Sequence, residues 1–161
     1  MTVVLYRVDE RLIHGQVIVG WGTRLDPDRI VVADDVLAES PWEQELYAVG
    51  VPPDVEAEFV SVAAARDRLS AWQKSEERVL LLTRDVTSML RLAEAGELDG
   101  ERVNIGGIHH APGRTRVLRY VFLGDPERQA LQELASKGVD VVARDVPGGR
   151  GVGVDELVRK P

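Results

Sequence analysis

The run Arg78-Val79-Leu80-Leu81-Leu82-Thr83 constrains the fold more than any other stretch of the chain. It is short enough for a strand, and its apolar core shows no polar alternation. A strand with one wet face alternates apolar and polar side chains, because successive residues point to opposite sides. This run is apolar on both sides, so it belongs inside a parallel sheet covered by helices on both faces. Further strand-like runs lie at 2–8, at Arg29–Ala33, around Glu58-Phe59-Val60-Ser61, at Arg102–Ile105, at Val117–Leu123 and at Val139–Ala143. Helical stripes fall between them. The first helix, from about Gly15 to Arg24, carries Val17, Ile18 and Trp21. Later stripes are Trp42, Leu46 and Val49, then Val62, Ala65, Leu69 and Trp72, then Val86, Met89, Leu90 and Ala93, then Leu131, Leu134 and Ala135. This alternation predicts a single α/β domain over 1–161, built on an open, doubly wound, mainly parallel sheet with helices on both faces. The connection before Val117–Leu123 is too short for a helical crossover, so that strand is expected to be antiparallel to a neighbour.

Local punctuation supports these boundaries. Ser40-Pro41-Trp42-Glu43 has the form of a capping box, with Ser at the N-cap and Pro at the first helical position, and Gly50 closes that helix. Asp85 and Asp125-Pro126 read as helix starts, and Gly96 and Gly138 as stops. Trp21, Trp42 and Trp72 all sit on apolar stripes and are expected in the core.

Composition narrows the class. The 161 residues carry 44% hydrophobic and 29% charged side chains and no cysteine, which excludes disulfides and thiolate metal sites. A net charge of −7 argues against nucleic-acid binding through a basic surface. No apolar run approaches the roughly 18 residues of a membrane span. Met1-Thr2-Val3 enters the first strand without a basic leader, so no secretory signal is expected.

The stretch Arg7-Val8-Asp9-Glu10-Arg11-Leu12-Ile13-His14-Gly15-Gln16 links the first strand to the first helix. In open α/β sheets, ligands and chemistry collect at the carboxyl ends of strands. An imidazole nitrogen is a nucleophile toward phosphorus, and phosphoryl transfer asks the protein mainly for positioning and for cations or N–H donors on the transferred oxygens. His14 supplies the nucleophile here, with both ring nitrogens open as the reacting atom. Arg7 and Arg11 supply cations, the amides of Gly15, Gln16 and Val17 supply donors, and Gly15 leaves room for a phosphate to approach. Asp9 or Glu10 orients an arginine or the second ring nitrogen. Arg84, at the end of the fourth strand, adds positive charge, and Gly106-Gly107 lets backbone approach the phosphate. Asp34-Asp35 reads as a strand-end turn. His109 and His110 are adjacent and lack acidic partners at ligand spacing, so no metal is expected there. Gly148-Gly149-Arg150-Gly151 lacks the lysine of a P-loop.

Residues 7–17 closely resemble the R-[IV]-D-[DE]-R-L-I-H-G-Q-V signature of the IIB subunits of the mannose/sorbose family of the bacterial sugar phosphotransferase system. Val31–Val36 is similar to that family's V-V-[AS]-D-[DE]-V segment, and Val103–Gly107 to its V-N-[IV]-G-G segment. The resemblance implies an open α/β sheet and a phosphohistidine carrier, with His14 phosphorylated and Arg7 and Arg11 lining the site. It implies a phosphorylated IIA protein as donor, a sugar at membrane IIC/IID components as acceptor, and no metal or organic cofactor. It also implies a cytoplasmic location, peripheral to the permease, and the chain leaves no room for a fused IIA. Two other readings fit the residues: a regulatory phosphoacceptor that never delivers to a sugar, and a binding module for a phosphorylated metabolite with His14 as a static ligand.

Overall fold

The computed structural model describes residues 3–159. Strand β1 is Val3–Val8; Thr2, expected in the same strand, lies outside the described residues. A π-helix, Gln16–Gly22, runs on into a single α-turn, α1, Thr23–Leu25. Then follow β2 Arg29–Ala33, a 3-10 turn Leu37–Glu39, α2 Pro41–Val49, β3 Glu56–Val60, α3 Val62–Lys74, β4 Val79–Thr83 and α4 Val86–Leu92. The second half holds β5 Arg102–Ile105, β6 Thr115–Leu118, β7 Val121–Leu123, α5 Asp125–Ser136, β8 Asp140–Ala143, β9 Val152–Gly153 and α6 Val154–Val158.

Within the described residues the main sheet has the order β3-β2-β4-β1-β5-β8-β9. All its pairs are parallel except β8 with β9. The reason for the parallel interior is visible residue by residue. Val31, Ala33, Val79 and Leu81 point into one core, against α3, α4, α5 and α6. Ile30, Val32, Leu80 and Leu82 point into the other, against Leu12, Ile13, Val17 and Leu37. Each of these strands therefore buries both of its faces, and β4, the run on which the fold reading rests, is buried at every position.

Caps follow the sequence in part. Ser61 Oγ accepts from the Ala64 amide at 3.1 Å, and Asp85 Oδ1 from the Ser88 amide at 2.8 Å. Ser40 occupies the N-cap of α2 with Pro41 behind it, but its side chain makes no cap bond. Gly124, not Asp125, caps α5, and Glu127 reaches back to accept the Gly124 amide at 2.7 Å.

Three expectations are corrected. Val117–Leu123 is not one strand: the chain reverses at Arg119-Tyr120, and β6 and β7 form a separate antiparallel pair. The antiparallel strand of the main sheet is the short β9. The first helix is wound as a π-helix, a rare form that recurs at functional sites. And α2 is rotated away from its apolar stripe. Tyr47 packs against the core and Gln44 Nε2 donates to the Leu37 and Ala38 carbonyls at 2.9 and 3.2 Å. This turns Trp42 (66% exposed), Leu46 and Val49 to solvent, while Trp21 and Trp72 are buried as expected. Ile13, Trp42, Leu46 and Tyr47 line a surface groove of about 390 Å³.

Candidate functional site

Strand β1 lies between β4 and β5, with Val8 level with Thr83 on one side and Ile105 on the other. Their carboxyl ends bring the 9–15 loop, Arg84 and Gly106-Gly107 to one edge of the sheet. The loop after β1 closes tightly: the Leu12 amide donates to the Asp9 carbonyl at 3.0 Å. Leu12 has φ 56°, a left-handed conformation that costs a residue with a Cβ roughly 1–2 kcal/mol. Full burial of the Leu12 side chain in the second core holds it there. The turn carries His14 back over Asp9.

Asp9 is the centre of the arrangement. It is fully buried. Its Oδ2 accepts from Arg7 Nη2 at 3.1 Å and Arg11 Nη2 at 2.9 Å, and lies 3.2 Å from His14 Nε2. Its Oδ1 accepts from the Arg11 amide and from Arg11 Nε, both at 3.0 Å. Burial alone would raise its pKa. The hydrogen bonds from His14 and Arg11 and the charge of Arg7 outweigh that and hold the carboxyl well below the usual carboxylate range. Asp9 is therefore an ionised, acceptor-only partner. His14 must donate to it from Nε2, which leaves the lone pair on Nδ1. The other contact agrees: the Gln16 amide points at Nδ1 from 3.3 Å.

Arg7 departs from the expectation of a phosphate ligand. It is fully buried. Besides Asp9, its guanidinium donates to Asn104 Oδ1, to the Arg144 carbonyl at 2.8 Å and to the Asp145 carbonyl at 3.2 Å. It also stacks 5.1 Å from the ring centre of Trp21. All of this directs Arg7 inward, where it ties β1 to β5 and to the loop after β8. Arg11 is one-third exposed and is the arginine on the open side of Asp9.

The glycines have a different task from the one expected. A Cβ on Gly106 would fall 2.5 Å from Asp9 Oδ2 and inside contact with Arg7 Nη2, and one on Gly107 would meet Arg11 Nε at 3.0 Å. Gly106 and Gly107 make room for the arginine–aspartate pairs. Gly106→Ala is expected to lower stability by about 1–3 kcal/mol, because the buried Arg7–Asp9 pair cannot move aside. Chemical denaturation measures this, and Gly107→Ala should be milder, since Arg11 can shift toward solvent. Gly15 has ordinary helical backbone, and a Cβ there would touch nothing within 4 Å. The space above it is open.

Of the remaining residues singled out in the sequence, Arg84 is held by Asp34 at 3.2 Å, and Asp34 also caps the 3-10 turn through the Leu37 amide at 2.9 Å. Glu10 turns away from His14, accepting from the His109 amide at 3.1 Å and Arg114 at 2.8 Å. His110 packs edge-on against Phe122. Among the described residues, no group of three or more His, Asp or Glu is placed to hold a metal ion. The sequence reading missed Asn104, Arg144, Asp145 and the role of Trp21 under Arg7. Only Asn104 carried a signal, as part of the V-N-[IV]-G-G segment and as a polar residue between the apolar Val103 and Ile105.

A family model described as the PTS system sorbose subfamily IIB component matches residues 3–161. The chain belongs to this family. It is 31% identical over 160 residues to the PTS system mannose-specific EIIAB component of Escherichia coli K12, an alignment that covers 99% of this chain and 49% of that protein. The chain thus spans about half the length of the first curated relatives it matches. The IIB domain of the sorbose permease from Klebsiella pneumoniae superposes with a TM-score of 0.88 at 28% identity, covering 98% of this chain and 96% of that one. The manxB protein of Thermoanaerobacter tengcongensis gives 0.87 at 32% identity, covering 99% and 96%. Membership places the chain among the IIB components of the sugar phosphotransferase system, and among the described residues no helix is long and apolar enough to cross a membrane.

Proposed function

We propose that this chain carries a phosphoryl group on Nδ1 of His14. The observation that carries the reading is the Asp9–His14 contact: a buried, ionised carboxylate holds the proton on Nε2 and leaves Nδ1 as the nucleophile. The Nδ1 lone pair attacks the phosphorus of a phosphorylated IIA partner. The new N–P bond forms as the donor's bond breaks, and that electron pair returns to the donor. The imidazole gains positive charge as it does so, and Asp9 lies where it neutralises that charge. In the second step the sugar hydroxyl attacks the same phosphorus, the N–P bond breaks with its pair returning to Nδ1, and the hydroxyl proton is released. The sugar sits at membrane IIC/IID components, which the chain meets from the cytoplasmic side. Mannose and sorbose are named for the relatives; for this chain the reading extends to a sugar as a class. No organic cofactor or metal enters either step.

Asp9, Arg11 and His14 form the reacting cluster, Arg7 positions Asp9, and the Gln16 amide with the open space at Gly15 receives the phosphoryl oxygens. The testing experiment is intact mass after incubation with phosphoenolpyruvate, the general phosphotransferase proteins and a mannose-family IIA. A gain of one phosphoryl group at His14 is expected. No gain from a demonstrably phosphorylated cognate IIA would favour the static anion-binding reading. Arg11→Ala is expected to slow acceptance by on the order of a hundredfold, the scale of losing one charge-stabilising donor, while changing thermal stability little. Rapid-quench kinetics beside thermal unfolding separates the two effects.

A further inference from the structure

Asp145, in the loop after β8, belongs to no sequence motif. Its carbonyl is fixed by Arg7 Nη2 and by Trp21 Nε1, the latter at 3.1 Å. Its carboxylate is placed differently. Oδ1 is buried without a hydrogen-bond partner and stands 3.7 Å from Arg11 Nη2, too far for a hydrogen bond. Oδ2 is 3.5 Å from Nη2 of Arg119, which is mostly exposed at the β6–β7 turn. Arg11 is therefore shared between two carboxylates, gripped by Asp9 at 2.9 Å and faced by Asp145 without a bond. Asp145 also lines a cavity of about 340 Å³ with Gln16, Arg119, Tyr120 and Arg150. Gln16 also points its amide at Nδ1 of His14, so this cavity and that nitrogen share a neighbouring residue. Burial, and then the nearby Asp145 charge, push the Tyr120 hydroxyl above its ordinary pKa, with the arginines at 7, 119 and 144 opposing the shift.

A carrier must not become a sink. Arg11 and the Gln16 amide acting alone would bind the phosphoryl oxygens tightly and slow their departure. We propose that Asp145 is a positioning residue that sets how readily phospho-His14 gives up its phosphoryl group, by competing for Arg11 and placing negative charge beside the adduct. The inference rests on the reading of His14 as the carrier.

The test uses the full chain phosphorylated by a phosphorylated mannose-family IIA, with the ³¹P resonance of the His14 adduct followed against pH. A neighbouring carboxylate disfavours the dianionic phosphoryl form, so removing it lowers the protonation midpoint. Asp145→Asn is expected to lower the midpoint by about half a pH unit, roughly threefold weaker proton affinity. Asp145→Glu, which keeps the charge, is expected to stay at the wild-type value. An unmoved midpoint in phosphorylated Asp145→Asn overturns the proposal, whatever happens to thermal stability. Asp145→Ser removes the same charge and is read identically if the amide variant does not fold. Misfolding of both would make the residue structural and also overturn it. Absence of any adduct on the wild-type chain would instead sink the carrier reading itself.

Discussion

His14→Ala abolishes phosphoryl acceptance and leaves the fold in place. That is the expected result, and the geometry gives both halves of it. The chain has three histidines, at 14, 109 and 110. Only His14 combines an ionised carboxylate on one nitrogen with a backbone amide and open space at the other. Removing its ring leaves Asp9 with four further hydrogen bonds, from Arg7 and Arg11. The buried charge therefore stays compensated, and stability should change by less than about 1 kcal/mol, as for substitutions outside the core. Intact mass and thermal unfolding on the same sample report the two halves. Continued acceptance by the variant would point to His109 or His110 and would remove His14 from the chemistry.

Asp9→Ala is expected to be the most destabilising single substitution in the site, by about 3–5 kcal/mol, because it strands the guanidinium of Arg7 in the interior without its carboxylate. Denaturant titration measures it. Asp9→Asn keeps the shape but removes the charge, so the proton on His14 is no longer fixed to Nε2 and acceptance should fall even in folded protein. The pH dependence has a definite sign. The folded-state pKa of Asp9 is depressed, so its stabilisation is complete above the ordinary carboxylate range and disappears only as pH falls well below that range. The stability gap between wild type and Asp9→Asn should accordingly be widest near neutrality, begin to narrow as pH falls through the ordinary carboxylate range, where the unfolded chain takes up the proton, and close only in strong acid. A gap that is flat through the acid range would mean Asp9 is not ionised in the folded protein.

The sheet was legible because its strongest signal was also its most buried element: β4 is apolar at every position before its last, Thr83, and neighbouring strands repeat the pattern on both faces. The β1 loop stood out as a candidate site through its residue types together with its resemblance to the IIB signature. What could not be read was the division of labour inside it. Arg7 and Arg11 look equivalent in a string, yet Arg7 points into the sheet and Arg11 outward, because β1 alternates and the 9–12 turn does not. The glycines at 106 and 107 look like phosphate-loop glycines, and only the packed arginines show what they make room for. The α2 stripe misled for a physical reason as well: apolar periodicity marks an amphipathic face without saying which side the core is on, and Tyr47 with Gln44 decided it. Asp145 had no local signal because its partners lie far away in the chain.

That distance carries a consequence for assembly. The guanidinium of Arg7 is held by carbonyls at positions 144 and 145, more than 130 residues along the chain, and closing such long-range contacts belongs to the slow part of folding. A growing or partly folded chain can display the whole His14 signature and still lack the interior that orients Asp9. Competence to accept a phosphoryl group should therefore appear only with the last strands docked, so that a phosphoryl group on this histidine certifies a finished protein.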